Sequence, residues 1–244
     1  MYRPIKDYAV IGDTHTAALI SAHGSLDWAC LPHFNSSAMF LRLLDDERGG
    51  YCAIEAGEVN SRSRRYLPDT NILETTFTTS SGVLQVTDFM PLRRRPEPTQ
   101  AGQDVDSDHQ IVRLLRCRSG HVEAAIELRP SLDFAREKGK FEKRDGSLVF
   151  CGARDELHIQ GAKLEIRGDE KAVSHVRLNA GEAAFIGLRH ARPGTVAAPM
   201  DLPRAEALLG ETREYWQNWA QTCQYQGPYR DSVVRSALTS KLLT

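Results

Sequence analysis

The sequence predicts a mainly β fold, a large antiparallel β-sandwich followed by a linker helix and one further helix. Short segments of alternating apolar and polar residues fill residues 1–200, with glycine-containing turns between them at close intervals. Such frequent turns favour an antiparallel sandwich over βαβ units. Beyond residue 200 the apolar residues recur at helical spacing instead. We therefore predict a sandwich over 1–200, a linker helix and turn over 201–228, and the start of a helical domain over 229–244.

Turn residues and alternation place individual strands within the sandwich. Gly82 and Gly120 each lie between two alternating segments, which predicts two hairpins, with a positive φ at Gly82 in the first. Asp145-Gly146 predicts a later turn of the same kind. The predicted strands cover residues 72–79, 83–89, 111–118, 121–129, 148–151, 163–167, 173–178 and 183–189.

One long polar segment interrupts this pattern. Residues 93–108 contain two prolines and show no apolar period, which predicts a solvated loop. Arg93-Arg94-Arg95 at its start lacks neighbouring aromatic residues, so we interpret it as a solvated charge run rather than a phosphate contact.

Two helices are predicted after the last strand. Asp201-Leu202-Pro203 reads as a helix start with Asp201 as the N-cap, and Asp231 is a candidate N-cap for the second helix. Apolar and aromatic residues of the first helix share one side of about five turns, namely Leu208, Leu209, Thr212, Tyr215, Trp216 and Trp219. The second helix carries an apolar stripe of Val233, Val234, Ala237, Leu238, Leu242 and Leu243. Such a stripe must be buried, and with no later element in the sequence we expect it to be exposed and prone to dimerise.

Composition and charge exclude several classes of protein. The formal net charge is −1, which creates no field that would attract nucleic acid or an anionic membrane. No apolar run approaches the roughly 20 residues of a membrane span. The N-terminus lacks a signal-peptide pattern, and the five cysteines are scattered. These features predict a cytoplasmic protein with reduced thiols.

Motifs for phosphate, dinucleotide, zinc or serine-hydrolase chemistry are absent. The eight histidines are dispersed along the sequence, so no metal site and no cofactor is predicted. Glu123 and Glu127 are about 13 Å apart on one face of a strand, beyond the roughly 6.5–9.5 Å of inverting glycosidases. Asp13 and Asp27 lie in the densest segment, where buried hydrogen-bonding roles are favoured.

Each aromatic residue can either pack in the core or stack on a ligand. Core packing is favoured for Trp28 and Phe40, and Trp216 and Trp219 are expected to pin the linker helix to the sheet. The role of Phe34 stays open because it lies in a Pro-His-Phe-Asn-Ser turn.

Several ordered motifs resemble one enzyme family. They are DYAVIGD at 7–13, AALI at 17–20, GSLDWACLP at 24–32, RYLPDTNILET at 65–75, VTDFMP at 86–91, YRD at 229–231 and RSAL at 235–238. Together they are similar to the N-terminal part of bacterial and archaeal glycoside hydrolase family 15 proteins, the glucoamylase and trehalase-like group. The resemblance implies a β-sandwich, a linker and then an (α/α)6 barrel, whose two catalytic glutamates have no matching positions in this chain.

The resemblance therefore implies a domain without catalytic residues whose terminal helix is the first helix of a missing barrel. Its partners would be that barrel and, in the whole protein, an α-glucoside such as trehalose or a starch-type glucan. Where the family usually has Arg-Phe-Asp-Ser, this chain has His33, Phe34, Asn35 and Ser36. We expect these four residues to form a substrate-binding loop at the cleft rim, with hydrogen-bonded rather than ionic contacts.

Two other functions stay open. A free-standing carbohydrate-binding module would use Phe34 or an exposed tryptophan as a stacking platform. A dimerising interaction domain would use the terminal helix, and Val234→Asp or Leu238→Asp would abolish its dimer.

Overall fold

The computed structural model describes residues 3–94, 105–144 and 147–244. Arg95 and the turn predicted at Asp145-Gly146 lie outside these ranges. The described strands and helices are β1 (Tyr8–Gly12), β2 (Ala17–Ser21), β3 (Ser25–Cys30), β4 (Ala38–Phe40), β5 (Tyr51–Ala56), β6 (Val59–Tyr66), β7 (Leu73–Thr79), β8 (Gly82–Phe89), β9 (Leu92–Arg94), β10 (Val105–Ser107), β11 (Gln110–Arg129), β12 (Lys140–Arg144), β13 (Ser147–Cys151), β14 (Glu156–Gly161), β15 (Glu165–Arg167), β16 (Lys171–Asn179), β17 (Ala183–Ala191), α1 (Leu202–Ala220) and α2 (Arg230–Leu242). Short 3-10 turns cover Ile5–Asp7 and Asp133–Ala135. In the part of the chain described here, no helix is long and apolar enough to cross a membrane.

Two antiparallel sheets share one long strand. The first has the order β1-β2-β3-β5-β11-β16-β15, with β4 beside β3, and the second has the order β6-β7-β8-β11-β17-β14-β13-β12. Apolar residues of both sheets form one continuous core, for example Ile54 and Ile126 from the first and Phe77 and Ile186 from the second. The predicted antiparallel sandwich is confirmed.

A second core covers the outer face of the second sheet. Val112 and Leu114 of β11 face this core, whereas Ile111 and Leu115 face the core between the sheets. Helices α1 and α2 supply the other side of the second core, with Trp216 only 1% exposed. Burial on both faces explains why this part of β11 is apolar almost without interruption.

The hairpin predicted around Gly120 is wrong. Residues 110–129 form the single strand β11, which pairs with β8 and β17 in its first half and with β5 and β16 in its second. A register shift follows Cys117, and Gly120 has a φ of 66°, so the glycine redirects the strand from one sheet to the other instead of reversing it.

The hairpin of β7 and β8 is confirmed, but the reason for its glycine differs from the prediction. Gly82 is not among the glycines with positive φ. It pairs directly with Gly120, and a Cβ on Gly82 would lie 2.5 Å from the carbonyl oxygen of Ser119. A side chain is therefore excluded there by the close approach of two backbones.

Residues 95–104 of the loop predicted over residues 93–108 lie outside the described ranges, and the described residues on either side form regular structure. Strands β9 and β10 pair as a two-stranded ribbon. Arg93 lies 2.7 Å from Asp106 and 3.1 Å from Asp108, so it is an ion-pair partner and not a solvated charge. Three-residue strands are too short to show an alternation in the sequence, and this is why the ribbon was not predicted.

Helix α1 matches its prediction closely. The side chain of Asp201 accepts a hydrogen bond of 2.9 Å from the backbone N–H of Arg204, as expected of an N-cap. Thr212 and Tyr215 are buried on the predicted side. Helix α2 begins at Arg230, so the predicted N-cap Asp231 lies inside its first turn instead.

The apolar stripe of α2 is not exposed as a whole. Val234, Leu238 and Leu242 are at most 3% exposed and pack into the second core, whereas Val233 and Leu243 are 39% and 53% exposed. The sandwich itself covers the inner part of the stripe. The prediction of a fully exposed apolar stripe is therefore wrong. One narrow face of α2 is buried against the sandwich, and another is exposed.

Polar contacts also fix α2 on the sandwich. The buried side-chain amide of Asn71 donates a 3.0 Å hydrogen bond to the carbonyl oxygen of Leu238. Arg235 donates to the carbonyl oxygen of Thr70 at 2.7 Å, and its guanidinium carbon lies 4.2 Å from the ring centroid of Tyr66. Asn71 and Thr70 belong to the recognisable segment 65–75, so this segment serves to hold the helix.

Candidate functional site

A tight turn after β1 organises one end of the sandwich. The buried carboxylate of Asp13 accepts hydrogen bonds from the backbone N–H groups of His15 and Thr16, at 3.1 and 2.8 Å, and one from the hydroxyl of Ser107. Thr14 between them has a φ of 66°, a conformation that the bonded carboxylate holds in place. The structural role predicted for Asp13 is confirmed.

The predicted loop His33–Ser36 lies against this turn. It follows the cis peptide bond between Leu31 and Pro32. The backbone N–H of Phe34 donates to the carbonyl oxygen of His15 at 3.0 Å. Within the loop, the N–H of His33 donates to the Ser36 hydroxyl at 3.1 Å, and the N–H of Ser36 donates back to the His33 carbonyl at 3.0 Å.

Three residues of the loop are exposed, namely His33, Phe34 and Asn35, and Phe34 is 43% exposed. An aromatic ring that is held out by hydrogen bonds of its own backbone can stack on the apolar face of a ligand. The structure thus places the four predicted residues together on one surface loop.

Three histidines that the sequence separates meet at this end of the sandwich. The ring centroids of His15 and His33 are 5.9 Å apart, those of His15 and His109 5.6 Å, and those of His33 and His109 5.1 Å. We call these three residues the histidine cluster. These three histidines are dispersed along the sequence, and turns from distant parts of the chain bring their rings together here.

The rings of the histidine cluster pack edge to face. His109 is inclined by 82° to His15 and by 75° to His33. The third pair, His15 and His33, is tilted by 40°. In the described residues, no group of three or more His, Cys, Asp or Glu side chains has an arrangement that could hold a metal ion.

Electrostatics distinguish His109 within the histidine cluster. Burial is the main cause that lowers its pKa below the ordinary 6.5, and positive charge on His33, His15 and His190 would lower the pKa further, against an opposing effect of Asp13. Its Nδ1 atom is buried and makes no hydrogen bond. His190, which donates its backbone N–H to the His109 carbonyl, pairs through its ring with Asp155 at 2.7 Å.

The turn of Asp13 also connects this site to α2. The side chain of Leu242 packs so closely on Gly12 that a Cβ there would lie 2.7 Å from it and 2.8 Å from the carbonyl oxygen of Thr16. The last turn of α2 therefore lies directly beside the turn that carries His15. We call the histidine cluster together with the loop His33–Ser36 the candidate site.

Other residues singled out in the sequence have structural roles. Asp27 is buried and accepts hydrogen bonds from Tyr8, at 2.9 Å, and from Ser25, which confirms the prediction. Burial, followed by the charge of Asp27, raises the pKa of the Tyr8 hydroxyl. Glu123 is exposed on the outer face of β11 as predicted.

The second carboxylate on that face of β11 belongs to Glu127, and it has two partners. Glu127 accepts a hydrogen bond from the Tyr51 hydroxyl and lies 2.6 Å from the Lys171 ammonium. Burial, with the Glu127 hydrogen bond next, raises the pKa of Tyr51 to about 12. Glu127 therefore stabilises the junction of β5, β11 and β16.

The aromatic predictions are confirmed where the structure tests them. Phe40 is fully buried, Trp28 is half-buried against a small cluster around Cys30, and Trp216 and Trp219 both pack α1 onto the sheet. Sequence reasoning missed the contributions of His15, His109 and Ser107 to the site, and no local pattern marks them.

The protein is an antiparallel β-sandwich domain whose C-terminal helices pack on one sheet. The candidate site lies on loops near the last helix. The family described as "Trehalase-like, N-terminal" matches residues 2–190. The chain belongs to this family, and the resemblance to the N-terminal domain of trehalase or glucoamylase-like proteins is confirmed.

Curated relatives are similar over the whole chain. A trehalase of Thermoplasma volcanium is 28% identical over 249 residues, which cover 99% of this chain and 38% of that protein. Trehalases of Mycolicibacterium smegmatis and Mycobacterium tuberculosis are 30% and 29% identical, covering 100% of this chain and 38% of each relative. The chain thus spans 38% of the length of each of these relatives.

Proposed function

We propose that this chain is the non-catalytic N-terminal domain of a glycoside hydrolase of family 15 type. In the whole protein it supports an (α/α)6 catalytic barrel that hydrolyses an α-glucoside, trehalose or a starch-type glucan, with inversion. Family membership and the relatives named trehalase support the class of protein. The cytoplasm is the compartment we propose, because all five cysteines lie in the described residues and are free.

The observation that best supports this proposal is that helix α2 has one buried face and one exposed face. Its inner face is fixed to the sandwich, while Val233 and Leu243 of the outer face are exposed. Tyr229, four residues before Val233, is 71% exposed. The exposed Ser236 and Ser240 lie between these apolar residues, and a face of small and apolar residues on a firmly held helix can pack against a further helix. The sandwich would thereby set the position of the first helix of the barrel.

The carboxylates of a wide cleft beside β12, β13 and β14 support a non-catalytic role. This cleft, of about 1230 Å³, is lined by Glu142, Arg144 and Glu156, among others. Hydrogen bonds from Lys140 and then Arg144 lower the pKa of Glu142 to about 2. A general acid for glycoside hydrolysis requires a raised pKa instead. Arg144 also lies 2.7 Å from Glu156, so both carboxylates act as ion-pair partners.

We further propose that the loop His33–Ser36 forms part of the rim of the substrate cleft. Its hydrogen bond to the turn of Asp13, against which the last turn of α2 packs, supports this role together with the exposure of Phe34. The side chains of His33 and Asn35 would contact sugar hydroxyls by hydrogen bonds, and the Phe34 ring would stack on a sugar face.

Hydrolysis assays test the proposed function. The 244-residue chain and the product of the complete reading frame that encodes it are compared on trehalose, maltose and isomaltose. We expect hydrolysis only by a product that contains the catalytic barrel, with inversion detected by proton NMR of the released sugar. Hydrolysis by the 244-residue chain alone would contradict the proposal, since a catalytic carboxylate pair would then lie within it.

Phe34→Ala tests the cleft-rim role in the complete protein. Loss of a stacking contact of about 0.5–1.5 kcal/mol should raise KM for the preferred α-glucoside roughly two- to tenfold and leave kcat nearly unchanged. Ile166→Ala is the control, because Ile166 is 37% exposed on β15, far along the first sheet. Equal KM values for Phe34→Ala and the unaltered protein would place the loop away from substrate.

The same protein samples distinguish two alternative functions. A free-standing carbohydrate-binding module, which the exposed Phe34 favours, would bind sugar as the 244-residue chain and lose binding in Phe34→Ala. A homodimer would form through the open face of α2, so its variants are Val233→Asp and Leu243→Asp. Val234→Asp and Leu238→Asp would not test this face, because both residues are buried against the sandwich.

A further inference from the structure

The phenylalanines of the chain divide sharply by exposure, and all eight lie in the described residues. Two of them, Phe34 and Phe134, are 43% and 41% exposed. Phe34 belongs to the loop His33–Ser36 and Phe134 to the turn Asp133–Ala135. The others are buried, namely Phe40, Phe77, Phe89, Phe141, Phe150 and Phe185. Single exposed apolar residues are ordinary, so the surroundings of these two rings decide whether they have a function.

A hydrogen bond joins the two segments that carry these rings. The hydroxyl of Ser37, directly after the loop His33–Ser36, donates to the carboxylate of Asp133 at 3.4 Å. Phe34 precedes Ser37 by three residues, which span at most about 11 Å even when extended. Phe134 is next to Asp133 in the chain. The two rings, distant in the sequence, are therefore close enough to contact one extended ligand.

The turn that carries Phe134 has an unfavourable backbone. Asp133, Phe134 and Ala135 have φ values of 45°, 56° and 61°, all in the left-handed region. Glycine adopts this region readily, and Asn and Asp do so to a lesser degree, so Phe134 and Ala135 are strained. Strain of this kind persists only where the surrounding structure enforces it, and it concentrates at sites that hold ligands.

Contacts on both sides hold the turn in this conformation. Leu132, just before it, is 2% exposed, and its carbonyl oxygen accepts a hydrogen bond from the N–H of Glu137 at 3.3 Å. Ala135 packs against the small apolar cluster that contains Cys30. Among the described residues, the Phe134 ring belongs to neither of the large cores nor to this cluster. The turn thus presents the ring outward without needing it for its own packing.

Polar groups surround the two rings. Asn35, Asp133 and Arg136 are exposed, and Ser36 and Ser37 are partly exposed. A contiguous apolar patch would suit a protein partner, whereas single rings separated by hydroxyl, amide and charged groups suit a sugar chain. Each ring can stack on the C–H face of one pyranose while the neighbouring polar groups bond to its hydroxyls.

We propose that Phe34 and Phe134 form a two-ring surface for a linear α-glucan, with Phe134 contacting the part of the chain that lies beyond the reach of a disaccharide. The substrate class of this surface rests on the proposed function, from which it selects the starch-type glucan over trehalose. Binding here needs no catalytic group, so it is a property of the described chain itself.

Calorimetric titration of the 244-residue chain tests this surface, with maltohexaose and maltose as probes. We expect maltohexaose to bind roughly two- to tenfold more tightly than maltose, because one further stacking contact becomes available to it. Phe134→Ala should weaken maltohexaose binding by that factor and leave maltose, which does not span both rings, bound at Phe34. Phe34→Ala should weaken the binding of both sugars.

Tyr225→Ala is the matched control. The Tyr225 ring is 40% exposed, almost as much as that of Phe134, and lies in the turn between α1 and α2. Its removal should change neither affinity. Amide NMR spectra of the unaltered chain locate the contact, since maltohexaose should shift signals of residues 33–37 and of residues 133–136.

Phe134→Gly tests the strain in the turn. It should melt about 2–4 °C above Phe134→Ala, because glycine relieves the left-handed backbone while both variants lack the ring. Equal melting temperatures would show an unstrained turn and remove the reason for assigning Phe134 to a ligand.

Three results of the titration would overturn the two-ring surface. They are equal affinities for the two sugars, maltohexaose binding that is unchanged in Phe134→Ala, and an equal loss in Tyr225→Ala. Hydrolysis by the complete product is scored separately. Hydrolysis without sugar binding by the 244-residue chain would leave the proposed function standing and overturn the surface, whereas binding without hydrolysis would do the reverse and favour a free-standing binding module.

Discussion

Arg113→Met is expected to lower the free energy of unfolding by about 3–5 kcal/mol, because it leaves a buried carboxylate without its cation. Arg113 and Asp88 are both 0% exposed, and their Nε and Oδ1 atoms are 2.6 Å apart. The guanidinium also donates to the carbonyl oxygens of Cys52, at 2.5 Å, and Gly24, at 2.8 Å. Three acceptors in the core would each lose the hydrogen bond that Arg113 donates, and of these the Gly24 carbonyl would keep its bond from the Ile54 N–H.

The position of Arg113 explains why the whole fold should respond. It lies on β11, and its partners belong to β8, to β5 and to the turn between β2 and β3. Burial opposes the charge, yet Asp88 and then the side chain of Cys52 outweigh it and raise the pKa of Arg113 further. The ion pair therefore ties both sheets together from within the core.

Urea unfolding at neutral pH, monitored by tryptophan fluorescence, measures this effect. Arg167→Ala is the matched control, since Arg167 pairs with Glu165 on the surface with 66% and 75% of the two side chains exposed. That pair should contribute less than about 1 kcal/mol. Equal losses for the two variants would mean that water reaches Arg113 and that the core is open there.

The sequence predicts the sandwich well because burial on alternate positions is a local property. Strands such as β7 and β16 and the N-cap of α1 follow from neighbouring residues alone. Arg113 could not be predicted in this way. It stands among apolar residues at a position that alternation assigns to the core, and only the fold shows that Asp88, 25 residues away, provides its partner.

The candidate site, likewise, could be predicted from the sequence only in part. The loop His33–Ser36 was identifiable, because it departs from a recognisable motif within a few residues. The other two rings of the histidine cluster, His15 and His109, come from turns 94 residues apart, a separation over which no sequence period extends. Long-range convergence of turns is set by the sheet order, and the continuous strand β11 was itself divided in the prediction.

Leu238→Ala is expected to lower the free energy of unfolding by about 2–5 kcal/mol through the cavity that it leaves between α2 and the sandwich. Leu238 is 1% exposed, and its carbonyl oxygen accepts the buried hydrogen bond from Asn71. The loss should concentrate on α2. A loss of about 2 kcal/mol, the lower end of this range, would make local opening of α2 roughly 30 times more populated, so hydrogen exchange of its backbone amides would accelerate roughly 30-fold or more.

Leu243→Ala is the matched control, because it removes the same atoms from the open face of α2, where Leu243 is 53% exposed. Its effect should stay within about 0.5 kcal/mol. Sedimentation velocity of both variants separates packing on the sandwich from self-association. If Leu243→Ala costs as much as Leu238→Ala and also shifts a dimer to monomer, the open face is buried in a homodimer. If only Leu238→Ala has an effect, the sandwich alone holds α2, and its outer face is left available for the helix that we propose follows it.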